Sequence, residues 1–221
     1  YLDAAIALAK QPGVLVATFG DMLRVPGSVS SLEQERGRGA QVRVVYSPLD
    51  ALEEARRSPD TTVVFLGVGF ETTAPAVGWT IREAREQGLG NYRVLCAHKG
   101  IPPAMRSLLE AGSRVDGFMC PGHVSVVIGA EAYRGLAREF GVPCVVTGFE
   151  ASDMVEGIEM LLRQVREGRG EVEVQYSRSV GEHGNVEARA LMDEVFEPAD
   201  ASWRGLGTIA ASGLAIRAAF G

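Results

Sequence analysis

The sequence predicts an α/β protein made of two Rossmann-like βαβ units, whose short parallel sheets face a cleft. Three observations lead there. Short apolar runs recur, each followed by a polar loop bearing Gly or Pro. Helical patterns separate those runs. Most of the 27 glycines sit just after an apolar run, where the chain has to turn sharply.

Taken in order, residues 1–10 carry a helical pattern, and apolar runs follow at 13–20 and 42–47. Pro48 then leads into a helix over 50–57. Further runs lie at 62–69, 92–98, 117–120 and 143–148, with helices between them over 77–87, 103–111, 131–140 and 153–167. Runs this short and this continuously apolar are covered on both faces, as in parallel sheets. Residues 171–177 alternate like a more exposed strand, and 203–207 are rich in turn residues. The charged, Pro-containing stretch 53–60 suggests a division. On that reading residues 1–55 belong to a first α/β domain, completed by 195–221, and 56–194 form a second.

Composition narrows the function. A net charge of −6, a pI near 5.2 and the lack of any basic run argue against a nucleic-acid partner, which requires clustered Lys and Arg. No apolar stretch reaches the ~18 residues of a membrane span, and no secretory signal is visible, so a cytoplasmic protein without a membrane partner is expected. Cys96, Cys120 and Cys144 form no CxxC pair and fit a reducing compartment. Three thiols are too few for a self-contained four-thiolate iron–sulfur or zinc site. Tyr1 stands inside a helical pattern and 212–221 stop within an apolar run, so the chain reads as a fragment.

In open α/β sheets, ligands bind beyond the carboxyl ends of the strands. Gly69-Phe-Glu-Thr-Thr-Ala-Pro75 places Glu71, Thr72 and Thr73 at such an end. Either threonine suits the cap of the next helix. Glu71 reads as a solvated loop carboxylate or as an acid/base or ligand-positioning group. In His98-Lys-Gly-Ile-Pro-Pro-Ala-Met105, Cys96 and His98 share a strand face; Cys96 suits a small buried hydrophobe, and His98 suits loop hydrogen bonding or active-site work.

Cys120-Pro-Gly-His-Val-Ser125 groups a thiol, an imidazole and a hydroxyl. Cys120 at a helix start, with His123 near, reads as a thiol of lowered pKa; the plainer reading is a Pro-Gly turn over a buried thiol. Gly148-Phe-Glu-Ala-Ser-Asp153 repeats the Gly-Phe-Glu string, which would set Glu150 on the same cleft as Glu71; Ser152 or Asp153 suits a helix cap. Asp21 and Arg24 either pair with each other or face the gap between the units. No Walker A or Gly-x-Gly-x-x-Gly loop occurs, so nucleotide binding is not supported.

Six strings, in order along the chain, resemble the HypD family of NiFe-hydrogenase maturation proteins: Ala17-Thr-Phe-Gly-Asp-Met-Leu-Arg-Val-Pro-Gly-Ser28, Tyr46-Ser-Pro-Leu-Asp-Ala51, the 69–75 and 98–105 loops, Asp116-Gly-Phe-Met-Cys-Pro-Gly-His-Val-Ser125 and Trp203-Arg-Gly-Leu-Gly207. The resemblance implies a scaffold for assembling an Fe(CN)2CO group, acting with a HypC-type chaperone and a HypE-type cyanide donor. It also implies two α/β domains across a cleft and a third domain holding a 4Fe-4S cluster. The family's Cys-Gly-Thr-His and Gly-Pro-Gly-Cys-Pro-Val-Cys motifs would precede Tyr1, and the cluster cysteines would follow Gly221. Iron ligation would then lie outside these 221 residues, which would hold neither the cluster nor the iron by themselves. Glu71, Thr72, Thr73, His98, Cys120, His123 and Glu150 would line the cleft and orient the iron group or relay protons and electrons near it. Two other readings stand beside this one: an α/β enzyme with Cys120 as nucleophile and His98 or His123 as base, and a non-catalytic interaction module.

Overall fold

A computed structural model describes residues 1–220. The molecule is α/β, with two parallel sheets. Strands β1 (Val14–Thr18), β2 (Val42–Val44), β3 (Thr62–Gly69) and β4 (Tyr92–His98) form the first sheet, in the order β2-β1-β3-β4. The register sets Val16 against Val42 and Val64, and Phe65 against Val94.

Side chains alternate along these strands, so each strand feeds two cores. Val16 and Leu66 pack with Ala5 and Ile6 of helix α1 (Leu2–Ala9) and Leu32 of α2 (Leu32–Gly37). Leu15, Ala17, Val63 and Phe65 pack on the other face, with Leu52 of α3 (Pro48–Arg57) and Val77 and Ile81 of α4 (Ala74–Glu86). Each Val, Leu, Ile or Phe among them contributes about 1.5–3 kcal/mol on burial, which is why the strands admit almost no polar residue. Helix α3 starts at Pro48, ahead of the expected 50–57: Ser47 Oγ accepts from Leu49 N–H (3.2 Å), and Asp50 reaches back to Ser47 N–H (3.0 Å).

Helix α5 (Ile101–Glu110) carries the chain to the second sheet, β5 (Phe118–Pro121), β6 (Cys144–Thr147) and β7 (Val172–Val174), parallel and in that order. Between β5 and β6 lie α6 (Gly122–Ile128) and α7 (Glu131–Phe140). Met105 of α5 and Tyr133 and Leu136 of α7 cover one face, against Cys120, Cys144 and Val146. Helix α8 (Ala151–Glu167) lies on the other, with Gly157 so close that a Cβ there would meet Thr147 Cγ2 at 2.1 Å.

Helix α9 (Val186–Val195) then returns the chain to the first unit, where Leu191, Val195 and Phe196 join the core beside α4. An antiparallel hairpin of β8 (Phe196–Trp203) and β9 (Gly207–Ile216) follows. It lies along β4: Lys99 bridges Gly213, and Gly100 N–H donates to Ser212 O at 2.8 Å.

The sheets do not follow the division expected after residue 55. Strands β3 and β4 hydrogen-bond with β1, and the change of sheet falls between His98 and Phe118. The charges read as a boundary are the outer face of the crossover helix α3, where Arg56 pairs with Glu53 and Glu83, and Glu54 with Arg43. The alternating stretch 171–177 is reduced to the short β7, and the turn residues at 203–207 close the β8–β9 hairpin.

Candidate functional site

Strand β1 has β2 on one side and β3 on the other, so the winding of the first sheet reverses between β1 and β3. Their carboxyl ends make the crevice where such folds bind ligands. Gly69 closes β3 with φ +133°, and a Cβ there would lie 2.3 Å from Thr73 Oγ1, so only glycine fits. The turn it makes sends Glu71 inward. Glu71 is 7% exposed, and its Oε1 accepts from Ile101 N–H (2.9 Å) at the start of α5.

Pro102 and Pro103 come next and have no N–H to offer. Oε2 accordingly has no hydrogen-bond partner among the described residues. Burial pushes the Glu71 carboxyl above the usual carboxylate range, against the pull of the Ile101 N–H. The expected solvated loop carboxylate is therefore ruled out; Glu71 is a buried acid that ties the β3 loop to the start of α5.

The threonines beside it do not cap with their side chains. Thr72 is exposed, while Thr73, at the N-cap position of α4, donates its hydroxyl to Val68 O and Phe70 O (3.2 Å each). His98, opposite Gly69 in register, is 1% exposed and packs toward the hairpin, with Phe196 at 6.1 Å and Cys96 Sγ at 3.4 Å from Nδ1. Burial lowers its pKa to about 4, so the ring is neutral, and Nε2 has no partner among the described residues. The shared face of Cys96 and His98 is real, but it points into the core between β4 and β9, where Cys96 also contacts Leu214 O at 3.2 Å. Burial pushes the Cys96 thiol up.

A neighbouring feature carried no signal in the sequence. Lys99 Nζ sits 4.7 Å over the Trp203 ring and donates to Ser202 O, while Phe70 stacks on Trp203 at 6.2 Å. The partners lie more than a hundred residues apart, so only the fold joins them. Arg24 pairs with Glu33 (3.5 Å) rather than with Asp21.

In the second unit the chemistry differs from the expectation for Cys120. That thiol is 1% exposed within the core, and the neighbouring Cys144 thiol, together with burial, holds its proton on well above the usual thiol range. A thiol of lowered pKa at the rim is thus overturned, because Cys120 points inward from β5 toward α7. Ser125 is also structural, donating to Pro121 O (2.9 Å) and bonding Tyr133 Oη (3.0 Å). His123 remains outside: exposed, its ring lies 4.5 Å from Phe149 and 6.4 Å from Tyr176.

Glu150 is exposed at the N-cap position of α8 and makes no side-chain cap. Asp153 does not cap either. It is buried, bonded by Gln175 and Arg178 (2.9 Å each), and these bonds hold its carboxyl at about 2.

A cavity of about 300 Å³ lies where the two units and the hairpin meet, walled by Glu71, Lys99, Pro102, Ile128, Arg189 and Ser212 among others. Of the seven candidates, Glu71 alone lines it among the described residues; His123 and Glu150 stay with the second unit, and His98 and Cys120 are inside the cores. Among the described residues no three His, Cys, Asp or Glu side chains gather as a metal-ligand set. The cysteines present do not fit a 4Fe-4S cluster, since Cys120 and Cys144 are sealed in one core and Cys96 is held in the other unit. Among the described residues no helix is long and apolar enough to cross a membrane.

The family described as "Hydrogenase formation hypA family", HypD, matches residues 1–221. Hydrogenase maturation factors HypD of Rhodobacter capsulatus and Azotobacter vinelandii are 49% and 47% identical, each over 99% of this chain and over 59% and 60% of their own lengths. The Escherichia coli hydrogenase maturation factor HypD is 44% identical over 96% of this chain and 58% of its own. The chain thus spans about three-fifths of the length of these relatives. With the whole chain matched and the glycine-turned loops in place, this protein belongs to the HypD family of hydrogenase maturation factors.

Proposed function

We propose that this chain is the cleft-bearing part of a scaffold on which the Fe(CN)2CO group of NiFe hydrogenase is assembled. It acts with a HypC-type chaperone, and a HypE-type protein donates cyanide. The iron-binding thiols and the 4Fe-4S cluster belong to the longer protein, in the cytoplasm. The observation that carries this reading is the buried Glu71 after β3, turned to the start of α5 beside a cavity shared by both units, in a chain that matches the family throughout.

In this reading the chain's residues bind, shield and orient. Burial raises the cost of the charged form of Glu71 and so favours a proton at its carboxyl. Lys99 and Arg189 bring two positive groups to a lining that also holds Asp193, and they would attract an anionic iron complex.

The nucleophile reading is not carried further, since Cys120 is buried with its proton held on. The test uses the full-length protein, purified anaerobically from cells and examined for the cyanide and carbon monoxide stretching bands of bound iron by infrared spectroscopy. Glu71→Ala and Lys99→Met are expected to weaken those bands severalfold with the fold intact. Unchanged bands in both variants would contradict a role for this crevice.

A further inference from the structure

Lysine is scarce in this chain, and one of its two copies stands on the cavity wall without a carboxylate. Of 22 Lys and Arg residues, only Lys10 and Lys99 are lysines. Lys10 pairs with Glu35 at 3.3 Å. Lys99 is half-buried and makes no ion pair among the described residues; its ammonium lies 4.7 Å over the Trp203 ring and donates to Ser202 O. Among the described residues that carbonyl is its one acceptor, so two of its three N–H groups are free for a ligand. Arg189, also on the wall, has no carboxylate either; its Nη1 donates to His183 O at 3.0 Å. The acids of the lining are Glu71 and Asp193, and burial disfavours the charged form of Glu71.

The hairpin fixes Lys99 at both ends. Along the backbone, Lys99 bridges Gly213, and Gly100 N–H donates to Ser212 O. At the ammonium end, the indole beneath it is held by Nε1–H donating to Ser212 Oγ at 2.8 Å. Ser212, 1% exposed, therefore anchors the residue after Lys99 with its carbonyl and the Trp203 ring with its hydroxyl. It stands in a bulge, where the register of β8 and β9 shifts between Ala199 and Ala201. Ala211 in that bulge has φ +50°, with its N–H on Asp200 Oδ1 at 3.0 Å. A residue with a side chain is strained there, and such strain persists where the surroundings over-determine it.

We propose that Trp203 is a positioning residue: it holds the Lys99 ammonium at the cavity wall, where Lys99 is the hydrogen-bonding contact for an anionic metal cyanide. The inference rests on the cavity being the site of the iron group. A metal-bound cyanide accepts a hydrogen bond at its nitrogen. A complex carries such nitrogens on several sides, so one anion can meet Lys99 and Arg189 together. The ring attracts the cation without cancelling its charge, which a carboxylate in its place would do. The compact ammonium, with three donors, fits this role where the planar fork of arginine would not.

Calorimetric titration of the full-length protein with hexacyanoferrate(II) tests this, using protein from cells that lack the cyanide donor. Lys99→Met is expected to weaken binding about tenfold, and Trp203→Leu about fivefold, with unchanged circular dichroism spectra. Trp203→Phe keeps a ring face and should lose no more than about twofold. The double variant Lys99→Met/Trp203→Leu should bind as Lys99→Met alone does, because Trp203 acts through the lysine. Losses that add would make Trp203 merely structural and overturn the proposal. So would a wild type that does not bind hexacyanoferrate(II), a Lys99→Met variant that binds it unchanged, or sulfate bound equally well at the same ionic strength. The infrared bands of bound iron separate this from the reading beneath it. Bands that fall in Lys99→Met while the affinity losses add remove only the role of Trp203; bands unchanged in both Glu71→Ala and Lys99→Met remove the reading itself.

Discussion

Gly-Phe-Glu occurs twice, each time at the carboxyl end of a parallel strand, and the two copies meet opposite fates. After β3, Glu71 is buried with Oε1 on the Ile101 N–H, and Phe70 lies on Trp203. After β6, Glu150 stays in solvent and Phe149 lies on His123. The tripeptide does not decide between them. A donor from another segment does: in the first loop the start of α5 presents an N–H to Glu71, while in the second the inward acid is Asp153, drawn in by Arg178 and Gln175. The expectation that Glu150 shares a cleft wall with Glu71 fails for this reason.

The comparison can be broken first at its glycines. Gly69→Ala imposes a side chain at φ +133° and a clash with the Thr73 hydroxyl, and should cost about 2–4 kcal/mol of stability, read as a fall in the thermal midpoint. Gly148→Ala keeps an ordinary φ but would set a Cβ 1.9 Å from Asp153 Oδ2, so it should act by parting Asp153 from Arg178, and the Asp153 pKa should rise with the loss of stability.

The acids give the next largest effect. Glu71→Ala removes the acceptor at the α5 terminus and should cost about 1–2 kcal/mol in denaturant unfolding, with Glu71→Gln costing less. Glu150→Ala, an exposed position, should stay within about 0.5 kcal/mol.

The two inward acids should also respond to pH with opposite signs. The folded pKa of Glu71 is raised, so the folded state holds more proton than the unfolded chain across the window above 4.5. Its stabilising contribution is complete below that value and is lost as pH rises through the raised pKa. The folded pKa of Asp153 is lowered from 3.8 to about 2, so its contribution is present above the ordinary value and is lost as pH falls toward 2. Carboxyl carbon NMR titrations should show Glu71 titrating above the ordinary glutamate value and Asp153 below the ordinary aspartate value. Removal of the Glu71 slope by Glu71→Gln would sharpen the assignment.

Function should be least sensitive at Cys120. Cys120→Ala should cost about 1–2 kcal/mol through the void it leaves beside Tyr133 and Val146, and should leave hydrogenase maturation by the full-length protein unimpaired at permissive temperature.

Much of the architecture was legible because apolar periodicity is local. The strands over 14–18, 62–69, 92–98 and 144–147 all fall within the runs that announced them. The grouping of strands was not legible, since the charged face of α3 looks like a linker until its helix is known to cross over a sheet. Helix α9 and the hairpin were missed as well. Strand β8 contains Pro198 and is exposed at alternate positions, and β9 is rich in Gly and Ala, so β4 rather than β-propensity holds them in place.

Glu71 drew notice in the sequence because it follows a buried strand directly, but its burial against the start of α5 was not legible there. His98 and Cys120 were misjudged because strand-end residues alternate inward and outward, and the hairpin that buries His98 arrives from about a hundred residues later. The Lys99–Trp203–Phe70 contact has the same long-range origin.

The claim at the centre of this account is that the first loop, not its twin, forms the working crevice. Hydrogenase activity of cells carrying the full-length protein with Glu71→Ala, compared with Glu150→Ala, tests it most directly. The account predicts at least a tenfold loss with the first and no loss with the second, at equal protein levels. Equal losses, or a loss confined to Glu150→Ala, would contradict it.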